Sequence, residues 1–309
     1  MASTFRAGTT NNSKPVAVFV EPNGLKAYVA NYGDRSVTIF DVAANKVIQN
    51  LEMPNAGRPF AFTGYEDSYI YVACKGDNGK DFVVAIDPGV NTLFNLEHKE
   101  GITFDETHNP LALHPKGHTL VSLGEVGMLD YIEYNIPGQV YGTSSLLDNT
   151  VSGVYLDNGM LFCTMREDKN YLKVFKNLTI DYPGNITYEK FFELPSYKGQ
   201  DLIRTSRYQE YIGITVQPTL FPTGGLHVIK VSTLEYEFIA LDVVGDITFY
   251  SDQYYDTKVY VAESNTVFAM DLIDDYQRRI QIGGNNVTVR NLVSSYSNQS
   301  SSGLRSLAW

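Results

Sequence analysis

Residues 15–54 consist of short apolar runs, each followed by a turn-forming sequence. Val16, Val18 and Val20 occupy every second position, as expected for a β-strand, and the turn sequence at 21–24 follows them. Further runs of β-branched and aromatic residues over 27–30, 37–40 and 46–48 are bounded by Gly, Asn and Asp. Such runs predict strands joined by tight hairpins. This stretch is therefore predicted to form four consecutive antiparallel strands.

The same pattern recurs along the rest of the chain. Repeats begin near residues 15, 57, 109, 151, 201 and 245, so that the period is roughly 40 to 50 residues. Four strands at this period predict the blade of a β-propeller. A blade buries its two faces only against its neighbours, so mid-strand apolar residues are expected between blades. The residues expected there are Val29, Ile39, Val72, Val84 and Val261.

Three of these repeats resemble the YVTN-type β-propeller repeat of archaeal surface-layer proteins and lactonase-like propellers. The matching residues are Pro22–Gly24, Tyr28–Asn31, Val37, Ile39–Asp41 and Lys46–Val47 in the first repeat, Tyr71–Ala73 and Ile86–Asp87 in the second, and Val259–Glu263 and Ala269–Asp271 in the sixth. The resemblance implies a propeller fold and a surface-exposed or extracellular location. Because it covers a structural repeat, it carries over no catalytic residues.

The predicted fold class is therefore all-β, a β-propeller of four-stranded blades forming a single domain over residues 1–309. Seven blades are favoured, the last being a composite of strands from both ends of the chain. Ser3–Arg6 and Leu304–Trp309 are the segments that would contribute to it. Closure by both termini leaves no exposed sheet edge. The alternative is a ring of six blades with an additional C-terminal strand.

The net charge of −11 argues against nucleic acid as a partner, because binding to a phosphate backbone requires a basic face. No window of 18 apolar residues is present, so insertion into a membrane is not expected. The N-terminal sequence also lacks the apolar core of a signal peptide. Together with the surface-layer resemblance and the aromatic residues of the predicted loops, the acidic composition favours a protein or glycan as the partner.

The two cysteines, Cys74 and Cys163, lie in strand-like runs of different repeats and are expected to be buried free thiols. Cys74 aligns with Asn31, at the end of the second strand of its repeat. That position would make Cys74 partly exposed, and with Lys75 adjacent it would be mildly reactive. The alternative is a buried small residue.

In a propeller, the loops that join the second strand of each blade to the third converge on one face, together with the connections between blades. Loops on a rigid scaffold commonly carry function, so this face is the predicted ligand- or partner-binding face. Tyr32 is the expected aromatic anchor. The candidate binding residues are Asn31, Tyr32, Asp34, Arg58, Lys75, Asp77, Glu125, Arg166 and Glu263.

No cofactor is expected, although the oxygens of Asp34 and of the Asp77–Gly79 turn would suit calcium. Such turn residues more often cap their own backbone. An enzymatic function is less favoured, because the Gly-x-Ser-x-Gly nucleophile motif is absent from the sequence. The alternative to a non-enzymatic binding protein is a lactonase- or lyase-like enzyme. Glu125 or Glu263 would act as its base, with Arg166 or Arg58 as the stabilising cation.

Overall fold

The computed structural model describes residues 7–65, 69–77, 79–95, 103–114, 119–124, 129–133, 150–165, 171–181, 185–195, 200–216, 224–241, 244–251, 256–263, 266–272 and 277–281. These residues divide into two compact units. The first contains the described residues up to 194, apart from Tyr171, and the second contains Tyr171 and those from 195 onward. The prediction of a single domain over residues 1–309 stays a prediction.

The first unit begins with two four-stranded antiparallel sheets in which the strands follow chain order. The first sheet contains β1 (Pro15–Val20), β2 (Lys26–Asn31), β3 (Ser36–Asp41) and β4 (Lys46–Glu52). A short 3-10 turn at Pro54–Ala56 leads to the second sheet. The second sheet contains β5 (Arg58–Thr63), β6 (Ile70–Lys75), β7 (Phe82–Asp87) and β8 (Thr92–Asn95).

Two further sheets complete the described part of the first unit. The third contains β9 (Leu111–Leu113), β10 (Thr119–Leu123) and β11 (Leu129–Glu133). The chain continues through β12 (Thr150–Tyr155), β13 (Leu161–Met165), β14 (Tyr171–Lys176), β15 (Thr179–Asp181), β16 (Asn185–Thr187) and β17 (Lys190–Pro195). The fourth sheet has the order β12-β13-β14-β17, while β15 and β16 pair as a separate hairpin.

The second unit consists of two four-stranded antiparallel sheets, again in chain order. The fifth sheet contains β18 (Gln200–Thr205), β19 (Tyr211–Val216), β20 (Gly224–Lys230) and β21 (Tyr236–Leu241). The sixth contains β22 (Ile247–Ser251), β23 (Asp256–Glu263), β24 (Thr266–Asp271) and β25 (Gln277–Gln281). Each of the six predicted repeats thus corresponds to one sheet. The terminal segments 3–6 and 304–309 lie outside the described residues, so blade number and closure stay predictions.

An apolar core joins the first and second sheets. Tyr28 lies opposite Phe19 on one side and Ile39 on the other, and all three are buried in this core. The ring centroids of Phe19 and Phe62, one from each sheet, are 6.4 Å apart. Burial contributes about 25 cal/mol per Å² of apolar surface, so this core is a main source of stability for the pair of sheets.

All five mid-strand residues predicted to be buried are buried, and four of them lie in a core between two sheets. Ile39, Val72 and Val84 are fully buried in the core between the first and second sheets. Val261 is fully buried in the core that the fifth and sixth sheets share. Val29 is 9% exposed and lies on the opposite face of the first sheet from Tyr28, since side chains alternate along a strand.

A buried histidine lies in the fifth sheet. His227 on β20 is 2% exposed, and its ring centroid is 4.9 Å from that of Phe238 and 5.8 Å from that of Tyr236. Burial lowers the pKa of His227 to about 4, because an apolar environment disfavours the charged imidazolium. His227 is therefore neutral in the folded protein at neutral pH.

Candidate functional site

The hairpins of the first two sheets bring the C-terminal ends of β2 and β6 to one edge of the first unit. Asn31, at the end of β2, lies opposite Ser36 at the start of β3. Lys75, at the end of β6, lies opposite Arg58 at the start of β5. The loop over 32–35 and the turn after Lys75 therefore project from the same edge, which we call the rim. The ion pair between Arg35 and Asp77 joins the two loops and establishes this placement.

Five side chains meet on this rim, and we refer to them as the rim cluster: Tyr32, Arg35, Arg58, Asp77 and Glu106. The Nη1 of Arg35 donates to Asp77 Oδ2 at 2.6 Å, and the Nη2 of Arg58 lies 3.3 Å from Asp77 Oδ1. The guanidinium carbon of Arg58 lies 5.5 Å from the centroid of the Tyr32 ring. The Tyr32 hydroxyl donates to Glu106 Oε2 at 2.7 Å.

The charged members of the rim cluster are accessible to solvent. The side chains of Arg35, Arg58 and Asp77 are 34%, 40% and 42% exposed. Exposed ion pairs contribute about 0 to 1 kcal/mol to stability, and an exposed cation–π contact contributes about as much. Folding alone therefore gains little from this arrangement, and its polar groups can be reached by a partner.

Tyr32 serves as a neutral hydrogen-bond donor within the rim cluster. Burial raises the pKa of its hydroxyl, the hydrogen bond to Glu106 raises it further, and Arg58 opposes the change in part. The ring also packs against the apolar core that contains Phe60 and Phe104. Tyr32 thus joins the rim to the core beneath it, as an aromatic anchor requires.

The predicted binding residue Lys75 has a structural role. Its Nζ donates to Asp81 Oδ2 at 2.7 Å and to the carbonyl oxygen of Phe104 at 2.8 Å. The Asp81 side chain is fully buried and also accepts hydrogen bonds from the backbone N–H groups of Gly76 and Phe104. These bonds fix the segment over 103–109, which presents Glu106 to the rim.

Asp34 holds the segment Gly8–Ser13, which we call the N-terminal segment. It accepts hydrogen bonds from the N–H groups of Thr9 at 2.6 Å and Thr10 at 3.0 Å, from Ser13 Oγ at 2.6 Å, and from the Thr10 hydroxyl. Burial alone would raise the pKa of Asp34, but the bonds from Ser13, Thr10 and Thr9 outweigh it and lower the pKa well below its usual range. The carboxylate predicted to face a partner or calcium is thus occupied by this segment.

Gly33 is required where the N-terminal segment passes the rim loop. A Cβ at Gly33 would lie 1.9 Å from the carbonyl oxygen of Asn12, so no larger residue fits without moving the backbone. The N–H of Gly33 donates to the Ser13 carbonyl oxygen at 2.8 Å, and the N–H of Tyr32 donates to that of Lys14 at 3.1 Å. The N-terminal segment therefore helps to fix the loop that carries Tyr32 and Arg35.

Two predicted positions lie inside the fold instead of on the rim. Asn31 belongs to β2 and is fully buried, and its Nδ2 donates to Thr38 Oγ1 at 2.8 Å and to Ser36 Oγ at 3.3 Å. The expectation that Cys74 is partly exposed and reactive is likewise wrong. Cys74 is fully buried, and burial followed by the charge of Asp81 raises the pKa of its thiol. The alternative expectation, that Cys74 and Cys163 are both buried free thiols, is confirmed.

The other three predicted binding residues are Glu125, Arg166 and Glu263. Glu125 and Arg166 lie outside the described residues, and Glu263 ends β23 in the second unit. Two members of the rim cluster, Arg35 and Glu106, were not predicted from the sequence. Arg35 follows Asp34 in the loop between β2 and β3, which was predicted to belong to the binding face. Glu106 lies in a stretch with no strand pattern.

The described residues give no support for a metal site or a membrane span. Among them, no group of three or more His, Cys, Asp or Glu side chains is placed to hold a metal ion. The expectation of no cofactor, with calcium as the alternative, stays a prediction. Within the described ranges, no helix has the length and apolar character needed to cross a membrane.

No protein-family model matches the chain, and no curated protein matches its sequence. Several solved structures resemble it in fold. Hydrazine synthase of Kuenenia stuttgartiensis has a TM-score of 0.63 at 14% identity, over 89% of this chain and 88% of that one. A chain of the mitotic checkpoint complex has a TM-score of 0.59 at 13% identity, over 91% and 89%. The WD40 repeats of RRP9 have a TM-score of 0.59 at 11% identity, over 90% and 82%.

These similarities support the propeller fold and do not test the finer family assignment. The YVTN-type repeat stays a resemblance of sequence, since neither the family models nor the curated sequences show it. The fold itself is established by the solved structures together with the six chain-ordered sheets. The chain is an all-β protein with a WD40-like β-propeller fold.

Proposed function

We propose that this chain is a non-enzymatic binding propeller that recognises a protein partner through the rim cluster. One observation carries the proposal: side chains from three separate parts of the chain meet at one solvent-accessible edge. Tyr32 and Arg35 come from the first sheet, Arg58 and Asp77 from the second, and Glu106 from the connection that follows. Rigid strand ends deliver four of these five side chains, as precise recognition requires.

The composition of the rim cluster supports a protein partner. Tyr and Arg are among the residues most enriched at the positions that dominate the energy of protein interfaces. Tyr32 is packed against the core, so little conformational entropy is lost when a partner covers it. One of the solved structures with this fold comes from a multiprotein complex, which is consistent with such a role.

A protein suits this site better than a glycan does. The Arg58 guanidinium covers one face of the Tyr32 ring, so that face is closed to stacking on a sugar ring. The exposed groups are charged, and complementary charges are how protein surfaces commonly select partners. Location at a cell surface, with a role in adhesion, is the extension of this proposal that the YVTN-type resemblance suggests.

The competing hypothesis is a lactonase- or lyase-like enzyme. It requires a base beside a cation, and its proposed residues Glu125 and Arg166 lie outside the described part of the chain. Arg58, the other proposed cation, contacts Asp77 and Tyr32. Among the described residues, Arg58 therefore forms an ion pair with Asp77 and a cation–π contact with Tyr32.

The test compares proteins captured from a lysate of the source organism by three immobilised forms of the chain. These are the wild type, the Tyr32→Ala/Arg58→Ala variant, and a matched control, Leu25→Ala/Lys46→Ala. Leu25 and Lys46 are exposed at the opposite end of the first sheet. We expect the wild type and the control to retain a common set of proteins that the rim variant loses, as quantified by mass spectrometry.

Two results would overturn the proposal. One is capture of the same proteins by all three forms, which would place the interface elsewhere. The other is hydrolysis of a panel of small lactones by the wild type that is lost in Arg58→Ala, which would favour the enzyme. Thermal unfolding of each variant confirms that it is folded before the comparison is made.

A further inference from the structure

We propose that the rim cluster binds an oxyanion side chain of its partner, a carboxylate or a phosphoryl group, and that Asp77 occupies this place when no partner is bound. The inference rests on the proposed function of the rim and names the chemistry of its ligand. The carboxylate of Asp77 lies between two guanidinium groups, with Arg35 on Oδ2 and Arg58 on Oδ1. An incoming oxyanion would find the same two cations.

Both arginines retain donors that no carboxylate or carbonyl oxygen of the described residues takes up. A guanidinium has five N–H donors in a planar fork. Arg35 donates through Nη1, to Asp77 and to the Ala56 carbonyl oxygen at 3.0 Å. Arg58 reaches Asp77 only through Nη2, at 3.3 Å. Each of the two side chains is at least one-third exposed, so an incoming group can reach the remaining donors.

Such a pair of forks suits carboxylate and phosphoryl groups in particular. Arginine binds both in a bidentate manner, with two parallel hydrogen bonds, and these are among the stronger hydrogen bonds of proteins. Arg58 is held less tightly by Asp77 than Arg35 is, because its contact with the carboxylate is longer. An oxyanion that bridges both arginines could therefore form more hydrogen bonds with Arg58, and shorter ones, than Asp77 forms with it now.

The backbone at Arg35 supports a role for its side chain. Arg35 ends the four-residue loop between β2 and β3 in the left-handed conformation, with φ at 56°. Two other four-residue hairpin loops of the first unit end in the same conformation with asparagine, at Asn45 and Asn91. Asparagine tolerates this conformation better than other non-glycine residues, and for a residue such as arginine it costs about 1 kcal/mol. Strain of this kind is characteristic of functional positions.

The oxyanion is borne by a protein segment and not by nucleic acid. The chain carries a net charge of −11, and Asp77 and Glu106 accompany the two arginines on the rim. A polyphosphate backbone would be repelled by this surface, because its binding depends on a basic face. A peptide can present one acidic group to the arginines and apolar or basic groups to the surroundings.

The proposal makes an unusual prediction for Asp77. If Asp77 competes with the ligand, Asp77→Asn keeps the shape of the side chain, removes the competing charge and tightens binding. We expect an increase in affinity of about fivefold, the effect of removing an exposed ion pair. If Asp77 were a direct ligand contact or only a structural group, the same change would weaken binding or leave it unaltered.

The experiment measures fluorescence anisotropy of labelled Gly/Ser peptides at low ionic strength. The peptides carry two central glutamates, one phosphoserine, or two glutamines as the uncharged control. We expect the glutamate or the phosphoserine peptide to bind, Asp77→Asn to bind it more tightly, and Arg58→Gln to bind it less tightly. The stronger of the two acidic peptides identifies the carboxylate or the phosphoryl group as the source of the oxyanion.

Arg35→Asn is the variant that separates binding from folding. Its melting temperature should equal or exceed that of the wild type, because asparagine relieves the left-handed backbone, while binding of the acidic peptide is lost. Arg35→Lys keeps the charge but lacks the fork, and should restore only part of the binding. Loss of stability in Arg35→Asn would refute the assignment of its backbone strain to function.

The oxyanion proposal fails if Asp77→Asn binds neither acidic peptide better than the glutamine peptide, or binds them no better than the wild type does. That outcome is distinguishable from failure of the proposed function. If the Tyr32→Ala/Arg58→Ala variant still loses its captured proteins, the rim remains the interface and only the ligand chemistry is wrong. If capture is also unchanged, both proposals fail.

Discussion

Lowering the pH should destabilise the second unit through His227. The pKa of His227 is about 4 in the folded protein, against 6.5 for an unperturbed histidine. Below the higher value, the unfolded chain takes up a proton that the folded chain excludes. His227 should therefore not affect folding stability at pH values above the unfolded-state pKa. Stability should fall progressively as the pH decreases from that value toward the folded-state pKa.

The size of the effect follows from the two pKa values. Each pKa unit corresponds to about 1.4 kcal/mol. At pH values below both pKa values, the shift therefore lowers the free energy of unfolding by about 3 kcal/mol. At about pH 5, the unfolded form is almost fully protonated and the folded form is almost fully neutral. The expected loss of stability from His227, relative to about pH 7.5, is then about 2 kcal/mol.

The assay is urea unfolding of the wild type and of His227→Phe at both pH values. Phenylalanine does not titrate and has an aromatic ring that can occupy the space beside Tyr236 and Phe238. The other ionisable groups are shared by the two proteins, so their contribution cancels in the comparison. The wild type should lose about 2 kcal/mol more than the variant on acidification.

Equal pH dependence in the two proteins would refute this account. It would mean that His227 takes up its proton in the folded state at the ordinary pKa, and so that its surroundings are polar or open. Chemical shifts of the His227 ring in a pH titration by NMR provide an independent check of the folded-state pKa.

Three other changes test the fold. Asp34→Asn removes the charge that holds the Gly8–Ser13 segment and should cost about 1 to 3 kcal/mol, with faster hydrogen exchange at residues 8–13. Val29→Asp places an unpaired charge in an apolar layer and should lower stability by about 3 kcal/mol in chemical unfolding. Deletion of residues 303–309 should lower the melting temperature sharply if this segment seals the propeller, and an unchanged curve would contradict closure by the termini.

The sheets were predictable because their determinants are local. Short runs of apolar residues in β2 and β7, bounded by Asn, Asp and Gly, are enough to place strands and hairpins. The aligned positions Asn31 and Cys74 are in fact equivalent, since both are fully buried at strand ends. Their exposure was mispredicted, because burial at a strand end depends on which neighbouring groups cover it. The β15–β16 hairpin was missed because it interrupts the repeat.

The rim was predictable in part for the same reason. Tyr32, Arg58 and Asp77 lie at hairpin ends, and antiparallel pairing places such ends on a common edge. The partners of these residues come from distant parts of the sequence. Glu106 is 74 positions from Tyr32, and the segment that occupies Asp34 lies 21 to 25 positions before it. Contacts of this kind depend on the path of the loops, about which local sequence patterns carry no information.

The chain order of the strands has a consequence for synthesis of the protein. The first and second sheets lie wholly within residues 15–95, and the described residues of the core between them come from these two sheets and the connection between them. Hairpins between consecutive strands form quickly, because little loop entropy is lost in closing them. The first two blades can therefore assemble on the ribosome before the fifth and sixth sheets have been translated.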